Sequence, residues 1–477
     1  MNPNTLMMNK TCTLSFATLL LAMTSYTSTL AQTAELLSSY NADEIANIAN
    51  YFQLPASIYT AEYGVDAYRV TYEMPYLDSM ITVSGAMFIP VGTDEGCSLP
   101  VITYMHGTIF KRIDAPSFLS NEGSLGYLMS SPGFITLMPD YVGLGTSDLM
   151  HPYVHAQSEA DAGVYLIQAA ETLGLELGFS FDDEFYSTGY SQGGHASMAF
   201  SRELQENWSE EYPLTASAPL SGPYDISGTQ SIQIAESDTY SNPAYIAYNI
   251  IGWNSYYGNI YEDLSEIFQE PYATGLPALF DGDTDAATIN AYLPDLLSDM
   301  LQQGIIEELT NNPDHPFNIS AQDNDVYEWV PLSPMKMYYC TEDEQVFYQN
   351  SLVAEEWMNE NGATSVVTSN GGALNHGDCA GPAIFGGLLW MQTYHQECET
   401  VEVGEIDELV WSIAPNPAIN GTTTLHGLPL NVRWKVRDLA GRIIQVGEGV
   451  SINFSGFSEG MFFIETEKWG TKRVLLN

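Results

Sequence analysis

The apolar positions of this chain change rhythm several times, and each change marks an element. Leu36, Leu37, Tyr40, Ile45, Ile48 and Phe52 share one broad face at helical spacing, which predicts a helix over Ala34 to Gln53 that Pro55 ends. Tyr68 to Glu73 alternates with period two and Met80 to Ile89 runs into Pro90, so both read as strands of an antiparallel lead-in. From Leu99 onward short apolar runs alternate with helical patterns. The runs are Val101 to Tyr104, Phe134 to Met138, Phe185 to Thr188, Thr215 to Leu220, Met335 to Tyr339 and Ser365 to Thr368. Helices are predicted over Ala160 to Leu173, Leu352 to Asn361 and Pro382 to Tyr394. Strand, helix, strand at this spacing makes a mostly parallel sheet covered on both faces.

One interval interrupts the rhythm. Between Ile226 and Pro334 no strand pattern occurs, Ile289 to Leu309 is helical in character, and aromatic residues crowd together, among them Tyr240, Tyr245, Tyr248, Trp253 and Phe268. An insertion of that size after a sheet strand predicts a helical cap, about 226–334, over the strand ends where open α/β sheets bind ligands. Some of these rings must pack the cap's own core, and the rest are free to wall a shielded apolar pocket. After an acidic linker, 397–408, the pattern turns to strands and turns alone. Trp434 to Val436, Arg442 to Val446, Met461 to Glu465 and Arg473 to Leu476 predict a small β-sandwich-like module over 409–477, beside a main domain at 32–396.

Charge sharpens the division. There are 60 acidic residues against 13 basic ones, and seven of the basic residues lie beyond Glu408. Only Arg69, Lys111, Arg112, Arg202 and Lys336 serve the main domain, which excludes nucleic acid and anionic membrane surfaces as partners. The first residues carry Lys10, an apolar core from Leu14 to Met23 and Thr29-Leu30-Ala31, the pattern of a secretory signal at 1–31 cut after Ala31. It is too short to span a bilayer, and no later stretch is apolar enough to do so. Cys97, Cys340, Cys379 and Cys398 remain after cleavage and allow up to two disulfides in an oxidising compartment, their pairing open.

The chemistry gathers around Phe185-Tyr186-Ser187-Thr188-Gly189-Tyr190-Ser191-Gln192-Gly193-Gly194-His195, a strand entering a tight turn and then a helix. Glycines at 189 and 193 let strand and helix pack closely, and the turn lifts the Ser191 hydroxyl to a helix N-terminus where amide N–H groups meet developing negative charge. This is a nucleophile elbow, and in the α/β-hydrolase architecture its acid and base follow in that order. Asp343 sits where the strand after the cap ends; Glu342, Glu344 and Asp378 are its rivals, and Asp140 precedes the serine and reads as loop-shaping. His376, in a glycine-flanked loop, is the candidate base over His106, His151, His155 and His195. The oxyanion donors are the N–H of Gln192 and one from the loop His106-Gly107-Thr108, Gly107 or Thr108. His151 and His155, four apart, are separated by Pro152 and make a poor metal pair, and the triad itself needs neither metal nor organic cofactor. Lys111 and Arg112 follow the oxyanion loop, either to neutralise nearby carboxylates or to attract a carboxylate product.

Taken together, Tyr104-Met105-His106-Gly107-Thr108, Pro139-Asp140-Tyr141-Val142-Gly143-Leu144-Gly145, Gly189-Tyr190-Ser191-Gln192-Gly193-Gly194, Asp343 ahead of Val346, and His376-Gly377-Asp378-Cys379-Ala380 resemble the secretory lipase family of α/β-hydrolases, the Candida lipase A-like group, over roughly Tyr68 to Tyr394. The resemblance implies hydrolysis of a small-molecule or lipid ester under a cap, through an acyl-enzyme on Ser191. The tail, with Ala414-Pro415-Asn416-Pro417, Gly460-Met461-Phe462-Phe463 and Lys472-Arg473-Val474-Leu475, resembles the C-terminal sorting domain of the type IX secretion system of Bacteroidetes. That resemblance implies the secretion machinery as partner and a secreted or cell-surface location. A peptidase related to prolyl oligopeptidases and a surface binding protein with a vestigial triad are the competing readings.

A main domain this acidic repels itself at low ionic strength, and salt relieves the repulsion. The thermal midpoint and the activity are therefore expected to rise between near-zero salt and about 0.5 M, a range over which the screening length changes severalfold. This charge balance suggests a protein adapted to saline surroundings, a reading that melting curves and rates staying flat across that range would remove.

Overall fold

The structure is a computed structural model and describes residues 32–94, 96–120, 122–237, 239–396, 398, 411–419, 421–438, 442–458, 460–466 and 470–476. The signal at 1–31 and the linker, Cys398 apart, lie outside them. The chain divides into two compact units after Cys398.

Nine strands form the sheet of the first unit: β1 Thr33–Tyr40, β2 Gly64–Tyr76, β3 Ser79–Val91, β4 Leu99–Met105, β5 Ile135–Pro139, β6 Phe181–Tyr190, β7 Leu214–Leu220, β8 Met335–Tyr339 and β9 Val366–Asn370. Their order is β1-β2-β3-β5-β4-β6-β7-β8-β9. β1, β2, β3 and β5 pair antiparallel, and every pair from β5 to β9 is parallel. The central strands β4 and β5 are buried along their whole length, because helices cover both faces and leave no face for polar side chains. Period two sorts β4: Leu99, Val101 and Met105 face a layer made by helices Ala156–Leu177, Gln192–Asn207 and Gln349–Glu360. Ile102 and Tyr104 face the opposite layer of Ala42–Tyr51, Leu125–Ser130 and His376–Gln392.

Three expectations change. The segment predicted as one helix over Ala34 to Gln53 is an edge strand, β1, followed by helix Ala42–Tyr51. Asn41 divides them, since its side chain caps the Glu44 N–H while Glu44 returns a bond to the Asn41 N–H. The helix predicted from Pro382 begins at His376, capped by Asn375, with Pro382 inside it. Ile289 to Leu309 is three short helices, Ala286–Tyr292, Leu297–Met300 and Ile305–Asn311.

Between β7 and β8 the described residues form helices and turns with two isolated bridges, Thr239 to Leu296 and Phe268 to Leu301. Trp253, Phe268 and Tyr248 are buried in this insertion's own core. Arg112 pins it to the main body: its guanidinium donates to the carbonyls of Ser147 (3.1 Å), Asp148 (3.4 Å) and Asp281 (2.6 Å). Lys111 pairs with Asp114 at 3.3 Å. These basic residues hold structure, so a role in attracting product is withdrawn.

The second unit is described on its own as a seven-stranded sheet, ordered Ile443–Glu448, Arg433–Arg437, Gly460–Thr466, Gly470–Leu476, Ser412–Ile419, Thr422–His426 and Ser451–Asn453. Val436, Ile452 and Ile464 are fully buried at its core.

His155 caps helix Ala156–Leu177 by accepting the Ser158 N–H on Nδ1, which requires an unprotonated ring nitrogen. Burial, with His195 nearby and Asp323 opposing, lowers its pKa to about 4. The unfolded chain therefore binds this proton between about pH 6.5 and 4 while the folded one does not, so its stabilisation is complete above 6.5 and is lost as pH falls. Asp161, Asp182 and Asp325, raised to about 6 by burial, act in the opposite sense, so the contribution is read by difference. His155→Asn keeps a capping oxygen without a titrating ring. Its stability is expected to fall less than the parent's between pH 7 and pH 5, by roughly 1–2 kcal/mol, in urea unfolding.

Candidate active site

Ser191 stands between the end of β6 and helix Gln192–Asn207 with φ 62° and ψ −122°. That backbone is costly for any residue with a Cβ and persists only where its surroundings hold it. Here the surroundings are backbone. A Cβ at Gly189 would lie 2.3 Å from the Gly193 carbonyl oxygen, and one at Gly193 would lie 2.0 Å from that of Met105, so both positions require glycine. The Ser191 N–H donates to the Leu220 carbonyl at 3.0 Å, which ties the turn to the end of β7.

Three residues distant in sequence converge on this turn. His376 Nε2 is 2.8 Å from Ser191 Oγ, and His376 Nδ1 is 2.7 Å from Asp343 Oδ2. All three side chains are buried. Asp343 Oδ1 accepts the N–H groups of Gln345 (3.0 Å) and Val346 (2.9 Å), which orients the carboxylate. Among its rivals, Asp378 bonds Asn375 at the helix cap and Glu344 accepts the His376 backbone N–H at 3.2 Å. Burial alone would raise the Glu344 pKa, but hydrogen bonds from its own backbone, Gln345 and His376 bring it below the usual carboxylate range. Asp140 accepts from Ser84 (2.6 Å) and the Ser117 N–H (2.9 Å), shaping its loop. Tyr190 fixes the other side by donating its hydroxyl to the His376 carbonyl at 2.6 Å.

The loop candidates for the oxyanion hole part company. The Gly107 N–H donates to Glu122 Oε1 at 2.9 Å and is already satisfied, so Gly107 is withdrawn as a donor. The loop packs against the elbow, since a Cβ at Gly107 would lie 3.4 Å from the Tyr190 carbonyl oxygen. Thr108 is left to supply the loop's N–H, and its hydroxyl meets Tyr153 OH at 2.9 Å. Gln192 opens its helix beside Ser191, and no described residue accepts its backbone N–H.

The remaining histidines have other work. His106 lies between the Gly107 and Asp140 carbonyls and stacks on Tyr141 at 4.1 Å. His151 Nδ1 donates to the Val142 carbonyl, and burial lowers its pKa to about 3, so Nε2 is free to accept from Gln192 Nε2 at 2.8 Å. His195 contacts the Asn324 carbonyl through Nε2 and Glu159 through Nδ1 at 3.4 Å. Glu159 was not anticipated. It is fully buried on helix Ala156–Leu177 and accepts from Gln192 Nε2 at 2.6 Å and from the Val154 N–H at 3.2 Å. Glu, Gln and two His thus form one polar platform behind the serine turn. Nothing in the sequence set Glu159 apart from Asp161 two residues on or from Glu171 and Glu176 on the same helix.

Above the triad, the cap encloses about 960 Å³ of empty space, mouth included, reached past Ser191 and Gln192. Ile226, Ile234, Ile250, Leu301, Leu309 and Phe317 wall it, with Tyr240 and Tyr245 among the rings that do not serve the cap core alone. The chamber lies over the strand ends.

No family model matches the chain, and no curated protein does. Solved structures do. The rice cell wall degrading esterase LipA from Xanthomonas oryzae is 27% identical with a TM-score of 0.67, over 76% of this chain and 96% of that one. A putative hydrolase from Legionella pneumophila is 24% identical with a TM-score of 0.71, over 77% and 98%. Candida antarctica lipase A in its closed state is 11% identical with a TM-score of 0.57, over 76% and 81%. The last two likenesses speak to the fold alone. The fold is that of the α/β-hydrolases, with a β-rich C-terminal region, and the neighbours named are esterases, lipases and hydrolases.

Removing the Glu159 carboxylate takes the acceptor from the buried Val154 N–H and leaves the Gln192 amide with His151 Nε2 alone. Glu159→Ala is therefore expected to destabilise the protein by about 2–4 kcal/mol, while Glu159→Gln, which keeps an acceptor oxygen, recovers most of the loss in thermal or urea unfolding.

Proposed function

We propose that the chain is a secreted serine hydrolase of carboxylic esters, a lipase or carboxylesterase, that works through an acyl-enzyme on Ser191. The observation that carries this reading is the unbroken relay from Ser191 Oγ through His376 to Asp343, at the floor of an apolar chamber. His376 Nε2 takes the serine proton as Oγ adds to the ester carbonyl carbon, and Asp343 holds Nδ1–H and stabilises the imidazolium. Negative charge on the former carbonyl oxygen meets the N–H groups of Gln192 and Thr108 and the positive end of helix Gln192–Asn207. Collapse of this intermediate expels the alcohol, which takes the proton from His376. Water, deprotonated by the same imidazole, then releases the acid. The imidazolium gives its proton back to Ser191 Oγ as the acyl–oxygen bond breaks, so the chain's own residues supply every acid, every base and the first nucleophile, and water is the second.

Substrate follows from the walls. The apolar lining of the chamber suits a neutral acyl group, and likeness to an esterase points the same way. The two disulfides, Cys97–Cys398 and Cys340–Cys379, fit an oxidising compartment and hence the signal at 1–31. In this reading the C-terminal unit is the export address that its likeness to a type IX sorting domain implies.

On p-nitrophenyl esters of graded acyl length, Ser191→Ala is expected to lower kcat by at least about 10⁴, and Asp343→Asn by roughly 10³–10⁴. Glu342→Gln and Asp378→Asn should stay within a few-fold of the parent. Ester hydrolysis that survives Ser191→Ala, or a parent that cleaves peptide anilides and no ester, overturns the assignment. A fluorophosphonate probe that fails to label the parent points to the vestigial binding protein instead.

A further inference from the structure

Cys340 and Cys379 form a disulfide whose two ends stand three residues from the proposed acid and three from the proposed base. Cys340 directly follows β8, and the Asp343 N–H turns back to its carbonyl at 3.4 Å. Cys379 lies one turn into helix His376–Gln392, where its N–H donates to the Asn375 carbonyl at 3.0 Å. The disulfide and the His376–Asp343 hydrogen bond therefore close one small ring, with the acid-bearing turn on one side and the first helical turn on the other. Both sulfurs belong to buried residues. The loop after β9 is shaped around them, since a Cβ at Gly371 would lie 2.7 Å from Cys340 Sγ. Otherwise the two segments are joined by a few hydrogen bonds: Glu344 to the His376 N–H, and Thr341 and Tyr339 to the Gly372 and Gly371 backbone.

We infer that Cys340 and Cys379 are positioning residues for the hydrolytic reaction, their disulfide setting the separation and aim of Asp343 and His376. The inference rests on the reading of Ser191, His376 and Asp343 as the reacting relay. The other disulfide supplies the contrast. Cys97–Cys398 spans 301 residues, Cys340–Cys379 only 39. A longer closed loop removes more freedom from the unfolded chain, so the long one contributes more to stability and the short one more to catalysis.

The test uses the full chain in three variants: Cys340→Ala/Cys379→Ala, Cys97→Ala/Cys398→Ala, and Ser191→Ala. The first is expected to lose at least tenfold in kcat on a p-nitrophenyl ester with KM within twofold, well below its melting temperature. The second should keep kcat within twofold while losing more in thermal midpoint than the first. A Cys340/Cys379 variant with kcat within twofold of the parent overturns the inference, and Ser191→Ala with undiminished turnover overturns the underlying assignment instead. If the first variant does not fold, the folded parent is treated with dithiothreitol. Two electrons and two protons pass to the disulfide, dithiothreitol leaves as its cyclic disulfide, and thiols appear at 340 and 379. Turnover should then fall in step with alkylatable Cys379 by peptide mapping and return on reoxidation before alkylation. Full turnover with both thiols alkylated overturns the inference equally.

Discussion

The site depends on how closely backbone can approach backbone at the end of β6. Ser191 is held in a left-handed turn because the strand before it, the helix after it and the end of β4 meet with no room for side chains at Gly189 and Gly193. The packing that forces the strain also directs it. The hydroxyl is lifted out of the sheet, and the first amide of the helix faces the place where negative charge will form. The sheet has to be parallel here, because only parallel strands return through helices and leave their C-terminal ends aligned on one edge. Asp343 and His376 follow β8 and β9 to that same edge.

Behind the serine turn the molecule accepts a second constraint. Burying Glu159, Gln192, His151 and His195 together is expensive unless the donors find acceptors, and most do. Protonation states follow from the geometry: His151 donates to a carbonyl on one side, so it can only accept on the other, and burial keeps it neutral. The consequence is that the side chain of Gln192 is fixed from behind the serine turn. The residue proposed as an oxyanion donor is thereby anchored through its side chain, which leaves its backbone to follow the helix start.

Much of this could be read from the chain alone, for definable reasons. The elbow, the acid and the base were legible because each sits at a strand end and the order of the strands fixes the order of the groups. The sheet was legible because doubly covered strands such as β4 and β5 are continuous apolar runs. Residues 34 to 40 were not, because a short amphipathic strand on an edge, followed at once by a capped helix, mimics one longer helical face until Asn41 is seen with Glu44. The distinction between Gly107 and Thr108 was also hidden. It turns on Glu122, fifteen positions along, reaching back to take the Gly107 N–H. Glu159 escaped for the same reason: a buried carboxylate is recognisable by its partners, and they come from helix Gln192–Asn207 and the turn at Val154.

The chamber wall and the strand-end edge answer to different rules. The edge is built from backbone geometry that tolerates little substitution, whereas the wall is apolar side chain on short helices of the insertion, where volume and polarity matter more than exact identity. The two meet through packed rings, Phe110 and Tyr153 on Tyr248, and through polar contacts, Arg112 on the carbonyls of Asp281, Ser147 and Asp148 among them. A cation serving carbonyls rather than carboxylates, in a domain with so few cations, is explained by what it bridges, since a guanidinium is a fork of donors that reaches three oxygens on two elements at once. In the proposed reading, changes to the wall therefore bear on which acyl group fits, and changes to the glycines of the turn on how the ester is attacked.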